Sequence, residues 1–390
     1  MHITEIFLSD WRNFVTTKIR PTDAINIFLG RNAQGKTNIL EAINFASLGR
    51  SRAGKDFDLI RWGQAAALLR INFSKASVAH ELAIEIAEGK RRRILFDANP
   101  LKPRELVGKL NSVLFSPEDL FMFKSSPAVR RKFLDEEISQ ASPVYFADLS
   151  KYNRLVDQRN NLLKKIRDGF VRAGELDLWD EQLAEFAAKV ATKRFAAVDK
   201  LNFLANLMQR KISAQTENLS VVYEVHGLDD AARVQLKKFS LDFTRPQNFS
   251  AEFTRNFAAC ALEILRARRF SDVKRGATSL GAHLDDLNFF INGRELKLFG
   301  SQGQMRTAAL ALKLSELQFL KSETGEYPLL LLDDVMSELD AARREMLLNF
   351  LRREKIQTLI TATDRAYFPP RSFGKFFFVK AGNVVKEADS

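Results

Sequence analysis

The chain has 390 residues, 46% of them hydrophobic, enough to bury the cores of two or three domains. Sixty lysines and arginines against forty-eight acids leave a net charge of +12, which favours a polyanionic partner such as nucleic acid, although basic ribosomal and membrane-surface proteins share that balance. No run approaches eighteen apolar residues, Met1-His2-Ile3-Thr4-Glu5 is not a basic and apolar signal sequence, and the lone Cys260 permits no internal disulfide, so a soluble cytoplasmic protein with a buried, unreactive cysteine is expected.

Short strands are predicted at 3–8 and 25–29. Gly30-Arg31-Asn32-Ala33-Gln34-Gly35-Lys36-Thr37 follows, fitting G-x-x-x-x-G-K-[ST], with a helix predicted from 37 to about 47. The spacing suits a phosphate loop, because glycines let backbone N–H groups curl around phosphates while the helix adds its positive N-terminal end. Lys36 would reach the β and γ phosphates of ATP or GTP, and Thr37 would ligand Mg2+. Strands at 68–73, 80–86 and 92–96 come next, the last two joined by a Glu88-Gly89 turn. There Lys90-Arg91-Arg92-Arg93 reads equally as a solvated edge and as a DNA contact.

From 127 to about 212 the pattern turns helical, with Ser126-Pro127 as cap and first-turn proline. Tyr145, Leu149, Tyr152, Val156, Leu163 and Ile166 keep steps of four and three, broken by Arg159. After a loop near 169–174, Trp179, Leu183, Phe186 and Val190 resume the rhythm, predicting an antiparallel helical hairpin. Arms of about 25 residues reach on the order of 35 to 40 Å. A strand is predicted at 221–225 and a helix at 253–270, where Arg266, Arg268 and Arg269 can complement the helix dipole.

Asn292-Gly293 predicts a hairpin between strands at 287–291 and 295–298. Ser301-Gln302-Gly303-Gln304 opens a long apolar helix to 320. Tyr327-Pro328-Leu329-Leu330-Leu331-Leu332-Asp333-Asp334 reads as a buried parallel strand delivering carboxylates at its C-terminal edge. Asp333 would hold Mg2+ through its waters and Asp334 would polarise the attacking water. Alone, such acids serve as well to cap the next helix. The phosphate loop selects the functional role. With a further strand at 358–361, the expected architecture is α/β: a nucleotide-binding head from 1–120 and 275–390, and a helical arm domain inserted at 121–274.

Three segments in this order resemble the RecF family of DNA replication and repair proteins, which belongs with the SMC-like ABC ATPases. They are Gly30 to Asn38 with Leu40-Glu41-Ala42, Ser301 to Gln304 with Arg306-Thr307 and Leu310-Ala311-Leu312, and Leu332-Asp333-Asp334-Val335-Met336-Ser337-Glu338-Leu339-Asp340. The resemblance covers essentially the whole chain and implies an ABC-type P-loop ATPase head that uses ATP and Mg2+. It implies that Ser301, Gln302, Gly303 and Gln304 form the signature segment gripping the γ phosphate on an opposite protomer, and that Asp340 lies in a loop crossing the dimer interface. Arg12 sits where the family has an arginine close to the nucleotide, and Thr363 where many ABC ATPases have a switch histidine, which fits slow turnover. Read alone, Ser301 caps a helix, Asp340 starts one and Arg12 makes a surface salt bridge. Ser116-Pro117-Glu118-Asp119 is the neighbourhood of the glutamine loop or simply a capped turn.

Two segments depart from the family pattern. Gly281-Ala282-His283-Leu284-Asp285-Asp286 lacks the proline and arginine of Gly-Pro-His-Arg-Asp-Asp, and Ser51-Arg52-Ala53-Gly54 replaces Ser-His-Arg-Thr. Both bear on DNA contacts rather than on the ATP site. The function implied is a slow, DNA-stimulated ATPase of recombinational repair, a homodimer closing head to tail around two ATP molecules. It would bind single-strand gaps or duplex junctions through Arg52, Arg61, Arg92 and Arg131, and act with the RecO and RecR mediators and the RecA recombinase. The rival class is an ABC ATPase serving a transporter or the ribosome; the former would normally lack the inserted hairpin and the latter would carry two cassettes. A repair ATPase with long coiled coils would have a Cys-x-x-Cys hook, and a GTPase an Asn-Lys-x-Asp motif; neither motif is present.

Overall fold

The structure, a computed structural model, describes residues 1–51, 54–239, 241, 249–369 and 374–386. The chain begins β1 (His2–Trp11), β2 (Phe14–Ile19), β3 (Ile25–Leu29), α1 (Lys36–Leu48), β4 (Ala66–Lys75), β5 (Val78–Ala87), β6 (Arg93–Phe96), β7 (Asn99–Pro100) and β8 (Ser112–Phe115). It continues α2 (Pro127–Ala141), α3 (Pro143–Arg167), α4 (Leu176–Ile212), β9 (Leu219–Glu224), α5 (Asp230–Lys238), α6 (Ala251–Ala267) and α7 (Arg269–Arg275). It ends β10 (Asp286–Ile291), β11 (Arg294–Glu295), α8 (Leu296–Phe299), α9 (Gln302–Thr324), β12 (Leu329–Asp333), α10 (Ala341–Glu354), β13 (Thr358–Ala362), β14 (Lys375–Lys380) and β15 (Asn383–Lys386). These elements divide into a first unit, Met1–Phe121, Met208–Gln215 and Gln302–Ser390, and a second, Met122–Leu207 and Thr216–Ser301.

The first unit is an α/β head built from both chain ends. Its antiparallel sheet runs β2-β1-β4-β5-β6-β7 and its largely parallel sheet β15-β14-β3-β13-β12-β8. The sequence dictates the difference. β4 buries Ala67, Leu69, Ile71 and Phe73 at alternate positions, whereas β3 and β13 are buried at every position and β12 at all but its last, as expected of parallel strands covered on both faces. One apolar core joins both sheets to α1, with Trp11 5.6 Å from Phe45 and Phe28 stacked on Phe377 at 5.0 Å. Because β3, β8, β12, β13 and β14 run parallel, their carboxyl ends open on one edge, the usual place for a ligand in such sheets.

The second unit holds the helical hairpin. Arg159 in mid-α3 pairs with Asp180 near the start of α4, while Tyr145 near the start of α3 meets Arg194 further along α4, so the helices run antiparallel. Arg159, the break in the apolar rhythm, is fully buried between Asp180 and Asp272. α3 has 25 residues as expected, but α4 has 37. Ser126 stands at the cap position of α2 without a side-chain cap bond; Ser142 supplies one to α3 by accepting from the Tyr145 amide at 3.2 Å.

Several expectations change here. The boundary at 275 differs from the observed one, because β10 pairs along its length with β9 and carries 275–301 into the second unit. Asn292 and Gly293 do make the turn, at φ 48° and 77°, but 296–299 coil into α8 instead of continuing the strand. Arg266, Arg268 and Arg269 serve ion pairs with Glu181, Asp229 and Asp177 rather than only a helix dipole. Cys260 is buried, and burial pushes its thiol up to about 11. Among the described residues no helix is long and apolar enough to cross a membrane.

Candidate nucleotide site

The Gly30 to Thr37 loop leaves β3 and enters α1 with Gly35 at φ 109°. A Cβ on Gly35 would lie 2.6 Å from the Asn13 side chain, and one on Gly30 would lie 2.4 Å from the Val379 carbonyl, so both positions exclude larger residues. Neighbouring turns brace the loop. Asn13 Nδ2 donates to the Gln34 carbonyl at 3.0 Å, Asn38 Nδ2 donates to Asn13 Oδ1 at 2.8 Å, and the Ala381 amide donates to Gln34 Oε1 at 2.8 Å. Arg31, Asn32 and Ala33 stay exposed at the bend, Ala33 with φ 62°.

Lys36 folds back over the loop, its Nζ donating to the carbonyls of Gly30 at 2.6 Å and Arg31 at 2.9 Å. Burial lowers its pKa while Asp334 and Asp333 pull it up. Thr37 Oγ1 donates to Asp333 Oδ1 at 2.9 Å, joining the phosphate loop to the end of β12 across 296 residues. The β12–β13 register sets Asp333 opposite Thr361, whose Oγ1 donates to Asp333 Oδ1 at 2.7 Å and accepts from the Asp334 amide at 2.9 Å. That bond helps hold Asp334 in the left-handed region at φ 52°, which is uncommon outside glycine. Burial pushes the Asp334 carboxyl up, with Lys36 opposing, and its buried Oδ1 has no hydrogen-bond partner among the described residues.

A desolvated carboxylate oxygen left unpaired is costly unless something else meets it. Hydroxyl and carboxylate at Thr37 and Asp333 are the hard oxygen donors Mg2+ takes, and the narrow glycine cradle suits phosphate oxygens. The arrangement therefore fits a nucleoside triphosphate with its metal.

The remaining candidates lie as follows. Arg12, at φ 53° in the β1–β2 turn, forks onto Glu41 of α1 at 3.0 and 2.9 Å and donates to the Asp58 carbonyl at 2.8 Å. Thr363 is exposed just past β13. Ser301 immediately precedes α9; Gln302, Gly303 and Gln304 form its first turn, and the Gly303 carbonyl accepts from Thr307 Oγ1 at 2.9 Å. Asp340 caps α10, accepting from the Arg343 amide at 2.8 Å and pairing with the Arg343 side chain. Ser116 to Asp119 form a capped turn after β8, the Ser116 amide donating to Asp119 Oδ2 at 2.7 Å.

Among the arginines named for DNA, Arg52 lies outside the described residues, as does Ala53. Arg61 binds Asp10 at 2.7 Å, Arg131 donates to the Asp285 carbonyl at 2.7 Å, and Arg92 bonds the Gly49 carbonyl, pairs with Asp56 at 3.3 Å and covers the Phe45 ring. Lys90 and Arg91 at the β5–β6 turn are exposed. The 281–286 segment, expected to bear on DNA contacts, is built into the interior of the second unit. Tyr152 Oη lies 2.7 Å from His283 Nδ1, Tyr223 Oη donates to Asp285 at 2.5 Å, and Arg130 clamps Asp286.

Sequence reasoning missed Thr361 and Asn13. Thr361 was visible as a hydroxyl in an apolar strand, but its use depends on register. Asn13 was visible only as a polar turn residue.

The family model of the RecF/RecN/SMC N-terminal domain matches residues 2–372. The chain is 41% identical over 366 residues to the DNA replication and repair protein RecF of Halothermothrix orenii, covering 93% of this chain and 92% of that one. A solved structure of the recombination mediator protein RecF with ATP, of the RecFOR pathway, superposes with a TM-score of 0.86 at 33% identity, covering 99% and 98% of the two chains. An SMC head bound to the C-terminal winged-helix domain of ScpA matches in fold, at TM-score 0.56 and 13% identity over 100% and 98% of the chains.

Proposed function

The chain belongs to the RecF family of DNA replication and repair proteins, and from that premise we propose that it is a slow, DNA-stimulated ATPase that dimerises on ATP at single-strand gaps or duplex junctions. The carrying observation is the Thr37–Asp333 bond, which brings phosphate loop and acidic strand together at one sheet edge.

Gly30 to Asn38 wrap the phosphates with backbone N–H groups, and Lys36 exchanges its two carbonyl partners for phosphate oxygens. Thr37 and Asp333 would hold Mg2+, which when bound draws charge off the phosphate oxygens. Asp334, desolvated and raised in pKa, is a better proton acceptor than a solvated carboxylate; it takes a proton from water as the water oxygen attacks the γ phosphorus and the bond to the bridging oxygen breaks. Thr361 positions that carboxylate. Arg12, fixed by Glu41, stands beside the loop through its neighbour Asn13.

Half of the site comes from a second copy. Ser301, Gln302, Gly303 and Gln304 of the partner subunit grip the γ phosphate from the start of a 23-residue helix, and Asp340 of the partner subunit lines the seam. Thr363, a hydroxyl without the charge a histidine can take, suits slow turnover. ATP then favours the dimer and hydrolysis releases it. Exposed Lys90 and Arg91, with half-buried Arg61, Arg92 and Arg131 drawn from their present partners, contact DNA phosphates, each neutralised phosphate adding about 0.9 to the log-log salt slope. The RecFOR pathway named for the solved relative supports work with RecO and RecR, and help in loading the RecA recombinase is part of the same proposal.

The test is sedimentation and gel shifts on gapped, single-stranded and duplex DNA with and without ATP. Lys36→Ala should remain a monomer with ATP, and Asp334→Asn should be trapped as a DNA-bound dimer. An ATP-independent sedimentation profile for the unaltered protein would overturn the proposal.

A further inference from the structure

A second concave surface lies wholly within the helical unit, and no residue assigned to ATP lines it. It is a groove of about 860 Å3 over one face of the β9–β10 pair, within the usual size of ligand clefts. Pairing of Val222 with Asn288, and of Asp286 with Glu224, places Val222, Glu224, Asn288 and Phe290 on a single face. Val222 is 43% exposed there, unusual for a mid-strand valine, and Asn288 Nδ2 donates to Glu224.

Three guanidiniums line the walls: Arg233 of α5, Arg268 between α6 and α7, and Arg275 at the end of α7. Arg268 is held by the Gly227 carbonyl at 2.5 Å and by Asp229 at 2.6 Å. Arg233 reaches only the Leu228 carbonyl, at 3.4 Å, and neither it nor Arg275 meets a carboxylate among the described residues. The positive surface continues past Arg275. A Cβ on the next residue, Gly276, would lie 3.0 Å from Arg167 Nη1 and 3.1 Å from Lys164 Cγ, at the end of α3.

We propose that this groove docks an acidic, extended segment of a partner protein that carries at least one bulky apolar side chain. Its carboxylates meet Arg233 and Arg275, as arginine clusters receive acidic motifs. The apolar side chain covers Val222 and Phe290, and backbone N–H groups of the segment donate to Glu224 and Asp229. These two carboxylates decide the class of occupant. A phosphodiester backbone has no N–H to offer them, whereas a peptide brings a donor at nearly every residue.

The experiment is fluorescence anisotropy on the full chain with a labelled peptide alternating glutamate with leucine and phenylalanine, its glutamine-for-glutamate counterpart, and labelled oligothymidine. The acidic peptide should bind the unaltered protein, with the glutamine peptide at least about tenfold weaker. Arg233→Glu with Arg275→Glu should weaken the acidic peptide by at least about tenfold while ATP turnover stays as it was. Val222→Glu, which alters the floor and no arginine, should weaken it too. Unchanged peptide affinity in both variants overturns the proposal. So does oligothymidine that displaces the peptide and itself loses affinity in the double variant, which would make this a nucleic-acid groove. ATP hydrolysis is read separately, so failure of the nucleotide-site assignment leaves this result interpretable.

Discussion

The carboxyl edge of the parallel sheet and the interior of the helical unit both gather charged and hydroxyl side chains out of water, yet they are finished differently. In the helical unit Arg159 binds Asp180, Asp272 and Thr278, and Arg194 binds Asp135, Tyr223 and the Ala282 carbonyl. Most groups there are answered by a neighbour, although among the described residues Arg159 Nη2, Asn206 Oδ1, Gln235 Oε1 and Asp272 Oδ1 are among the loose ends. At the sheet edge Lys36 rests on backbone carbonyls alone and Asp334 Oδ1 rests on nothing described. A closed network holds a fold in register. An open one has capacity left for a ligand.

The sharpest way to break this contrast is Asp334→Asn. If the open carboxylate is the proton acceptor, ATP turnover should fall roughly 10²- to 10⁴-fold with ATP binding retained; phosphate release beside nucleotide binding checks it, and normal turnover sinks the assignment. On the closed side, Arg159→Met strands two buried carboxylates and should cost about 3–5 kcal/mol in urea unfolding. Adding Asp180→Leu and Asp272→Leu should recover most of that loss, because an apolar replacement leaves no charge unanswered.

Thr361→Val removes the hydroxyl that spans Asp333 and the Asp334 amide. Loss of its bond to the Asp333 carboxylate, worth about 1.5–3 kcal/mol, together with the bond from the Asp334 amide, should lower turnover on the order of tenfold or more. Thr361→Ser should restore it, and equal rates for Val and Ser would remove Thr361 from the site.

The smallest effect is a balance of pH slopes. Burial raises Asp285 to about 6, so its stabilisation is present below 3.8 and is lost as pH rises through about 6. Burial lowers His283 to about 4, so its stabilisation is present above 6.5 and is lost as pH falls towards 4. The two slopes oppose each other between about pH 4 and 6. Stability of the unaltered chain should therefore be nearly flat in that window as far as this pair is concerned. Asp285→Asn should leave stability rising with pH, and His283→Gln should leave it falling; parallel curves for both variants would show that the pair does not titrate there.

Legibility followed the range of the forces involved. β3 was read to the residue because an unbroken apolar run beside a glycine loop has few other meanings. β2, β8, β14 and β15 were not foreseen. β8 is four residues long and exists by pairing with β12, more than two hundred positions away. The 296–299 stretch has strand-like alternation, but its register with β10 ends after two residues and the chain coils. Arg159 looked like a flaw in a helical repeat until Asp180 and Asp272 came to meet it from other helices.

The amino-acid order by itself determined the phosphate loop, the acidic strand, the helical hairpin and the family, since each rests on local spacing, turn chemistry and period. Tertiary structure alone decided that Thr361 would hold Asp333 and Asp334, that β10 would leave the head for β9, and that Arg61, Arg92 and Arg131 would have internal partners. Those outcomes depend on which distant backbones hydrogen-bond and which buried charges find a counter-charge, and neither is encoded within any short window of the chain.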